Sequence, residues 1–208
     1  MLVVIKKKKK TEMTHLESID QGLTENRPYN EIARKVYLTY PTNALVGNEE
    51  REFKILNEIS EHFNVPIMNI QVAGSAKTGF SFHKKTLFDA INSDLDIAII
   101  DTNLFLNYSE WVFKNTNGYT DRSSFPINED GQSTFKQYTN CVSKGIFRPD
   151  LMPVGKKRLK WIKFFGQLSY KNKDLFKSIN AGLYFSQTFF EFKQISNINE
   201  YVSNKTIL

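Results

Sequence analysis

SDLDIAIID, residues 93–101, is the most informative segment of the sequence. Its apolar residues are mostly β-branched, which predicts a strand over 94–100. Side chains alternate across a strand, so Asp94 and Asp96 share one face and the apolar residues share the other. Two neighbouring carboxylates repel each other, and aspartate is a poor strand former. The pair therefore indicates a divalent cation, and its oxygen ligands favour Mg²⁺ or Mn²⁺.

A second strand with a glycine–serine turn precedes this one. Residues 67–72 are rich in β-branched residues and run into Gly74 and Ser75. Glycine permits a close backbone approach, and the exposed amides and hydroxyl of such a turn can hold a phosphate. A P-loop is excluded, because Phe80 stands where a lysine must directly follow the second glycine.

Length and composition bound the class of protein. The chain has 208 residues, of which 40% are apolar and 13% aromatic, so it can build one core and is not disordered throughout. It lacks an apolar run near the roughly 18 residues that span a bilayer. A single cysteine, Cys141, excludes an internal disulfide and a cysteine-based zinc cluster. We predict a soluble cytoplasmic protein with no membrane partner.

Charge is unevenly distributed along the chain. The net charge of +6 depends on the run Lys6 to Lys10, a block that is typical of a solvated tail. Residues 89–130 hold eight acidic and two basic residues, whereas 144–177 hold ten basic and two acidic ones. This succession suits a site that holds cations and polyanionic phosphate together. The basic cluster within 156–163 fits a solvated helix face or a contact for triphosphate or nucleic acid, and both interpretations stay open.

The remaining pattern predicts an α+β fold, a small mixed sheet flanked by helices. Helical spacing indicates patches within 14–40, a helix after Asn48 that ends at Asn64, and helices over 102–113, 159–168 and roughly 176–202. Residues 76–93 and 114–134 are predicted as loops, and 147–154 as a short extended piece. We divide the chain into a disordered lysine-rich tail (1–13), a core with N-terminal helices (14–155) and a C-terminal helical segment (156–208).

The order of a strand, Gly74-Ser75 and then Asp94-x-Asp96 on the next strand resembles the nucleotidyltransferase superfamily with the DNA polymerase β-like fold. The oligoadenylate-synthetase-like and bacterial defence branches are the most similar. RPDLMP, residues 148–153, matches the family's third carboxylate segment and places Asp150 in that role. The resemblance covers 67–154, with a longer spacing between Ser75 and Asp94 than most relatives have and a reduced C-terminal helical part.

The resemblance implies a metal-dependent transfer of a nucleoside monophosphate from a nucleoside triphosphate to a hydroxyl on a small molecule, RNA or protein. Asp94, Asp96 and Asp150 would be the catalytic residues and the ligands of Mg²⁺ or Mn²⁺, with Asp150 taking the proton of the attacking hydroxyl. Gly74, Ser75 and Lys77 would bind the nucleotide phosphates. Two alternatives remain: a catalytically silent relative that binds nucleotide or a partner protein, and a nucleic-acid-binding module.

Overall fold

A four-stranded mixed sheet lies at the centre of the computed structural model, which describes residues 13–206. Within this range the chain forms eight α-helices, the central sheet and a two-stranded hairpin, so the predicted α+β class is confirmed. The predicted tail, apart from Met13, lies outside the described residues. None of the helices in 13–206 combines the length and apolar character needed to cross a bilayer.

The helices are α1 His15–Thr24, α2 Tyr29–Ala33, α3 Glu49–Phe63, α4 Gly74–Thr78, α5 Thr102–Asn115, α6 Phe135–Val142, α7 Lys156–Lys171 and α8 Gln187–Thr206. The strands are β1 Ile70–Ala73, β2 Phe80–Ser81, β3 Thr86–Leu87, β4 Leu95–Ile100, β5 Ile146–Phe147 and β6 Ile179–Tyr184. A π-helical stretch, Arg34–Thr39, follows α2, and short 3₁₀ turns cover Asn43–Leu45 and Ile67–Asn69.

The central sheet has the order β1-β4-β6-β5. Strand β4 is antiparallel to β1 and parallel to β6, and β5 is antiparallel to β6 at the outer edge. In this register Asp96 lies opposite Ala73 on one neighbour and opposite Asn180 on the other. Because β5 pairs only with Leu183 and Tyr184, most of the outer edge of β6 is left open.

The two faces of β4 have the character that the alternating pattern predicts. Leu95, Ile97 and Ile99 are buried in a large cluster with residues of α3, α5 and α7. Ala98 lies on the opposite face and packs in a second cluster with α2 and α8. The aspartates belong to the face of Ala98, at the beginning of the strand, where this packing gives way to solvent.

Two local predictions were wrong. The stretch interpreted as one helix over 176–202 begins with β6, so the C-terminal segment supplies a central strand of the sheet as well as helices. The other concerns α3, where helical spacing predicts an apolar stripe of Phe53, Leu56, Ile59 and Phe63. Ile59 is buried and Leu56 and Phe63 pack against the core, but Phe53 is 53% exposed.

Candidate active site

A cleft of about 1500 Å³ opens along the free edge of β6, between α7 and α8. Gly74, Asp96 and the aromatic side chain of Phe192 are among the residues that line it. The cleft exists because β5 is too short to cover β6. Its position brings the beginning of β4 to the same opening as the basic segment around Arg148.

Asp96, in β4, lines this cleft. Asp94, directly before β4, is not a lining residue but contacts Ser178, which is one. Asp96 reaches solvent through the cleft, yet protein surrounds its carboxyl group on most sides. This desolvation, together with the negative charge of Asp94, raises the pKa of Asp96 to about 6, against the opposing effect of Lys84 and Arg148. Asp94 is partly buried, and its Oδ1 accepts a hydrogen bond of 2.7 Å from the hydroxyl of Ser178.

Gly74 brings the backbone against the Asp96 carboxylate. Its φ is +64°, and a Cβ built at this position would overlap Oδ2 of Asp96. Only glycine combines this backbone conformation with this approach. Ser75 follows in the first turn of α4 and is half-buried, but it is not among the residues that line the cleft.

Lys77 does not reach the cleft. Its side chain is 4% exposed, and Nζ donates a hydrogen bond of 2.6 Å to the backbone oxygen of Tyr40. Burial lowers the pKa of the Lys77 ammonium to about 8, and the nearby Glu52 opposes this shift. The structure thus places the predicted phosphate clamp on the interior side of α4, where it supports the fold.

Asp150 lines the cleft, but its carboxylate is occupied. Arg148 holds it by two hydrogen bonds, from Nε to Oδ1 at 3.1 Å and from the guanidinium to Oδ2 at 2.5 Å. Both side chains are about half exposed. In the described part of the chain no three His, Cys, Asp or Glu residues form a ready-made metal site, so Asp94 and Asp96 stand as a pair.

The donor set of this pair nevertheless fits a hard divalent cation. Carboxylate oxygens are the ligands such ions prefer, and a bound cation would offset the burial and the negative charge of Asp94 that raise the pKa of Asp96. The close approach of Gly74 leaves no room for a side chain beside the Asp96 carboxylate. We therefore treat Asp94 and Asp96 as residues that could hold Mg²⁺ or Mn²⁺.

The beginning of β6 and the residue before it contribute two polar side chains that the sequence analysis missed. Ser178 and Asn180 line the cleft, and Asn180 lies in register with Asp96. Both were overlooked because the segment was interpreted as a helix. The signal that could have revealed them is the alternation of apolar Ile179, Ala181 and Leu183 with Ser178, Asn180 and Gly182, which is a strand pattern.

Basic and aromatic side chains complete the cleft. Lys144, Arg148 and Lys193 line it, as do Trp161, Phe165, Phe189 and Phe192.

The basic cluster in 156–163 is partly engaged by other residues. Lys157 donates to Asn107 and lies over the ring of Tyr108. A guanidinium nitrogen of Arg158 donates to the backbone oxygen of Asp150 at 3.1 Å. The other members, Lys156, Lys160 and Lys163, are exposed on α7.

Comparison with known proteins adds no relative to this description. No family model, curated protein or solved structure matched the chain. Its function has to be inferred from the chemistry of the cleft.

Proposed function

We propose that the protein is a Mg²⁺-dependent nucleotidyltransferase, which moves a nucleoside monophosphate from a nucleoside triphosphate to a hydroxyl acceptor and releases pyrophosphate. The observation that carries this proposal is the Asp96 carboxylate, which lies beside the Gly74 turn and close to the charge of Asp94, in a cleft that also contains basic side chains. A structural role alone gives no reason to hold two carboxylates together beside backbone at this opening.

Asp94 and Asp96 would hold the cation. When bound, a divalent ion neutralises phosphate charge and lowers the pKa of a coordinated hydroxyl. The protein's own contribution is to keep both carboxylates on one face of β4 and to bring the backbone at Gly74 against one of them.

The rest of the cleft suits the two organic substrates. Lys144, Arg148 and Lys193 supply positive charge for a triphosphate, and the exposed ring of Phe192 offers a stacking surface for a nucleobase. A cleft of about 1500 Å³ exceeds the roughly 300–1,000 Å³ of a typical site for one small ligand, which leaves space for an acceptor. Positioning and charge neutralisation would then supply most of the rate enhancement.

Asp150 has a role in this scheme once Arg148 exchanges it for a phosphate oxygen. The carboxylate released in this way accepts the proton of the acceptor hydroxyl. The hydroxyl oxygen bonds to the α-phosphorus, the bond from that phosphorus to the bridging oxygen breaks, and pyrophosphate leaves with the electron pair. This step needs no oxidant and no covalent enzyme intermediate.

The test is incubation of the protein with each α-labelled nucleoside triphosphate and Mg²⁺ or Mn²⁺, followed by separation of labelled small molecules, RNA and protein. We expect Asp94→Asn and Asp96→Asn to abolish label transfer while the fold is retained. Asp130→Asn is the matched control, because Asp130 is an exposed aspartate that does not line the cleft. Near-full label transfer by Asp94→Asn or Asp96→Asn would refute the assignment of these aspartates as metal ligands.

A catalytically silent nucleotide-binding protein is the second candidate. It is favoured by the Arg148–Asp150 pair and by an asparagine, rather than a third acid, opposite Asp96. Tight binding of a nucleoside triphosphate without label transfer, across all four bases and both metals, would support this alternative.

A further inference from the structure

Four polar side chains meet where β4 and β6 begin. The backbone amide of Leu95 donates a hydrogen bond of 2.8 Å to the backbone oxygen of Ser178, and Asp96 is in register with Asn180. Residues that face each other on parallel neighbours point to the same side of the sheet. Ser178 and Asn180 therefore share the face of Asp94 and Asp96.

The hydrogen bonds within this group fix the orientation of the Asn180 amide. The Ser178 hydroxyl has one proton, and it donates that proton to Asp94 Oδ1, because a carboxylate can only accept. Asn180 must then turn its NH₂ group to Ser178, and Nδ2 lies 2.9 Å from the serine oxygen. The amide oxygen of Asn180 is left for a ligand in the cleft, which this exposed residue lines.

We infer that Asn180 Oδ1 is the third protein ligand of the cation held by Asp94 and Asp96, and that Ser178 is a positioning residue for both Asp94 and Asn180. This inference rests on the proposed function. It does not use Asp150 as a metal ligand, since Arg148 donates hydrogen bonds to both oxygens of that carboxylate. An amide oxygen is a hard donor of the kind that divalent cations accept.

The experiment measures Mn²⁺ binding to the full chain by electron paramagnetic resonance, without nucleotide. We expect Asn180→Ala to weaken binding at least about tenfold, the scale of effect seen when metal-site partners are removed. Asn180→Asp should tighten binding, because it replaces a neutral oxygen ligand with a charged one. Misfolding cannot produce both changes, since it can only weaken binding.

Two further variants separate the candidates for the third ligand. Asp150→Asn should leave the Mn²⁺ affinity unchanged. Ser178→Ala should weaken Mn²⁺ binding, and Ser178→Thr, which keeps the hydroxyl, should restore it. A loss of Mn²⁺ affinity in Asp150→Asn with none in Asn180→Ala would overturn the inference and identify Asp150 as the third ligand.

The outcomes also distinguish this inference from the proposed function. Binding that is lost in Asp96→Asn but insensitive to both Asn180 variants refutes only the role of Asn180. A wild-type protein that binds no Mn²⁺ refutes the cation site as a whole, and the proposed function with it.

Discussion

Charged groups next to the two sides of α4 have opposite surroundings. On the cleft side, Gly74 lies against the Asp96 carboxylate, whose pKa is raised by burial and by the negative charge of Asp94. On the interior side, three residues later, Lys77 is almost fully buried and bonded to the backbone of Tyr40. The surroundings of each group, and not the sign of its charge, therefore decide whether it faces the cleft or packs inside the protein.

Gly74→Ala tests the cleft side and should have the largest effect. The added Cβ displaces the Asp96 carboxylate, and a misplacement of about 1 Å at a reacting centre can cost about a hundredfold in turnover. We expect loss of Mn²⁺ binding and at least that loss of label transfer. Gly131→Ala is the control, because Gly131 also has a positive φ, +74°, but has nothing within 4 Å of an added Cβ.

Equal losses in the two variants would show that backbone strain, at about 1–2 kcal/mol, explains the effect. The contact between Gly74 and Asp96 would then carry no functional meaning.

Lys77→Met tests the interior side. It leaves the Tyr40 carbonyl without its donor, which should lower the free energy of unfolding by about 1–3 kcal/mol. Mn²⁺ affinity should be unchanged. Chemical denaturation measures the first quantity, with Lys54→Met as the control, since Lys54 forms only an exposed ion pair with Glu50. A stable variant with impaired nucleotide binding would instead place Lys77 in the site.

The pH dependence of stability follows from the same residue. The folded pKa of Lys77, about 8, lies below its ordinary value of 10.5, so the unfolded chain binds the proton more tightly. Stability relative to Lys77→Met should therefore rise between pH 8 and 10, by up to about 2–3 kcal/mol. Denaturation curves at several pH values measure this difference, and a flat or falling difference would contradict the burial of a charged lysine.

Arg148→Ala gives the smallest expected effect, a change in the titration of Asp96. Carboxyl ¹³C NMR of the wild type should show Asp96 titrating with a pKa of about 6. Removing Arg148 should raise that pKa further, because the guanidinium favours the charged carboxylate. Arg122→Ala, outside the cleft, should leave it unchanged. An Asp96 pKa near the ordinary 3.8 in the wild type would show that burial and the charge of Asp94 do not act on this carboxyl group.

The pair of aspartates could be predicted because strand alternation is a local property. Asp94 and Asp96 follow from a period of two within seven residues, and the buried face of β4 followed with them. The boundaries of α3 were also predictable, since Asn64 ends it in the left-handed conformation, with φ +52°. The fate of Lys77 was not predictable, because its burial depends on the distant segment that carries Tyr40.

Asn180 was lost for a different reason. Strand β6 runs almost directly into the aromatic stretch of α8, and that stretch imposed a helical interpretation on the whole segment. Gly182 within it was evidence against a helix interior. The register that brings Asn180 opposite Asp96 is a property of the folded sheet, which single-sequence patterns do not encode.

We propose that Asp94 and Asp96 together hold a divalent cation at the edge of the β6 cleft. The most direct measurement is the anomalous difference density of a crystal grown with Mn²⁺ and a non-hydrolysable nucleoside triphosphate. The account predicts a peak at coordination distance from both carboxylates, with the triphosphate beside it. A bound nucleotide with no peak there, or a peak that touches neither aspartate, would contradict it.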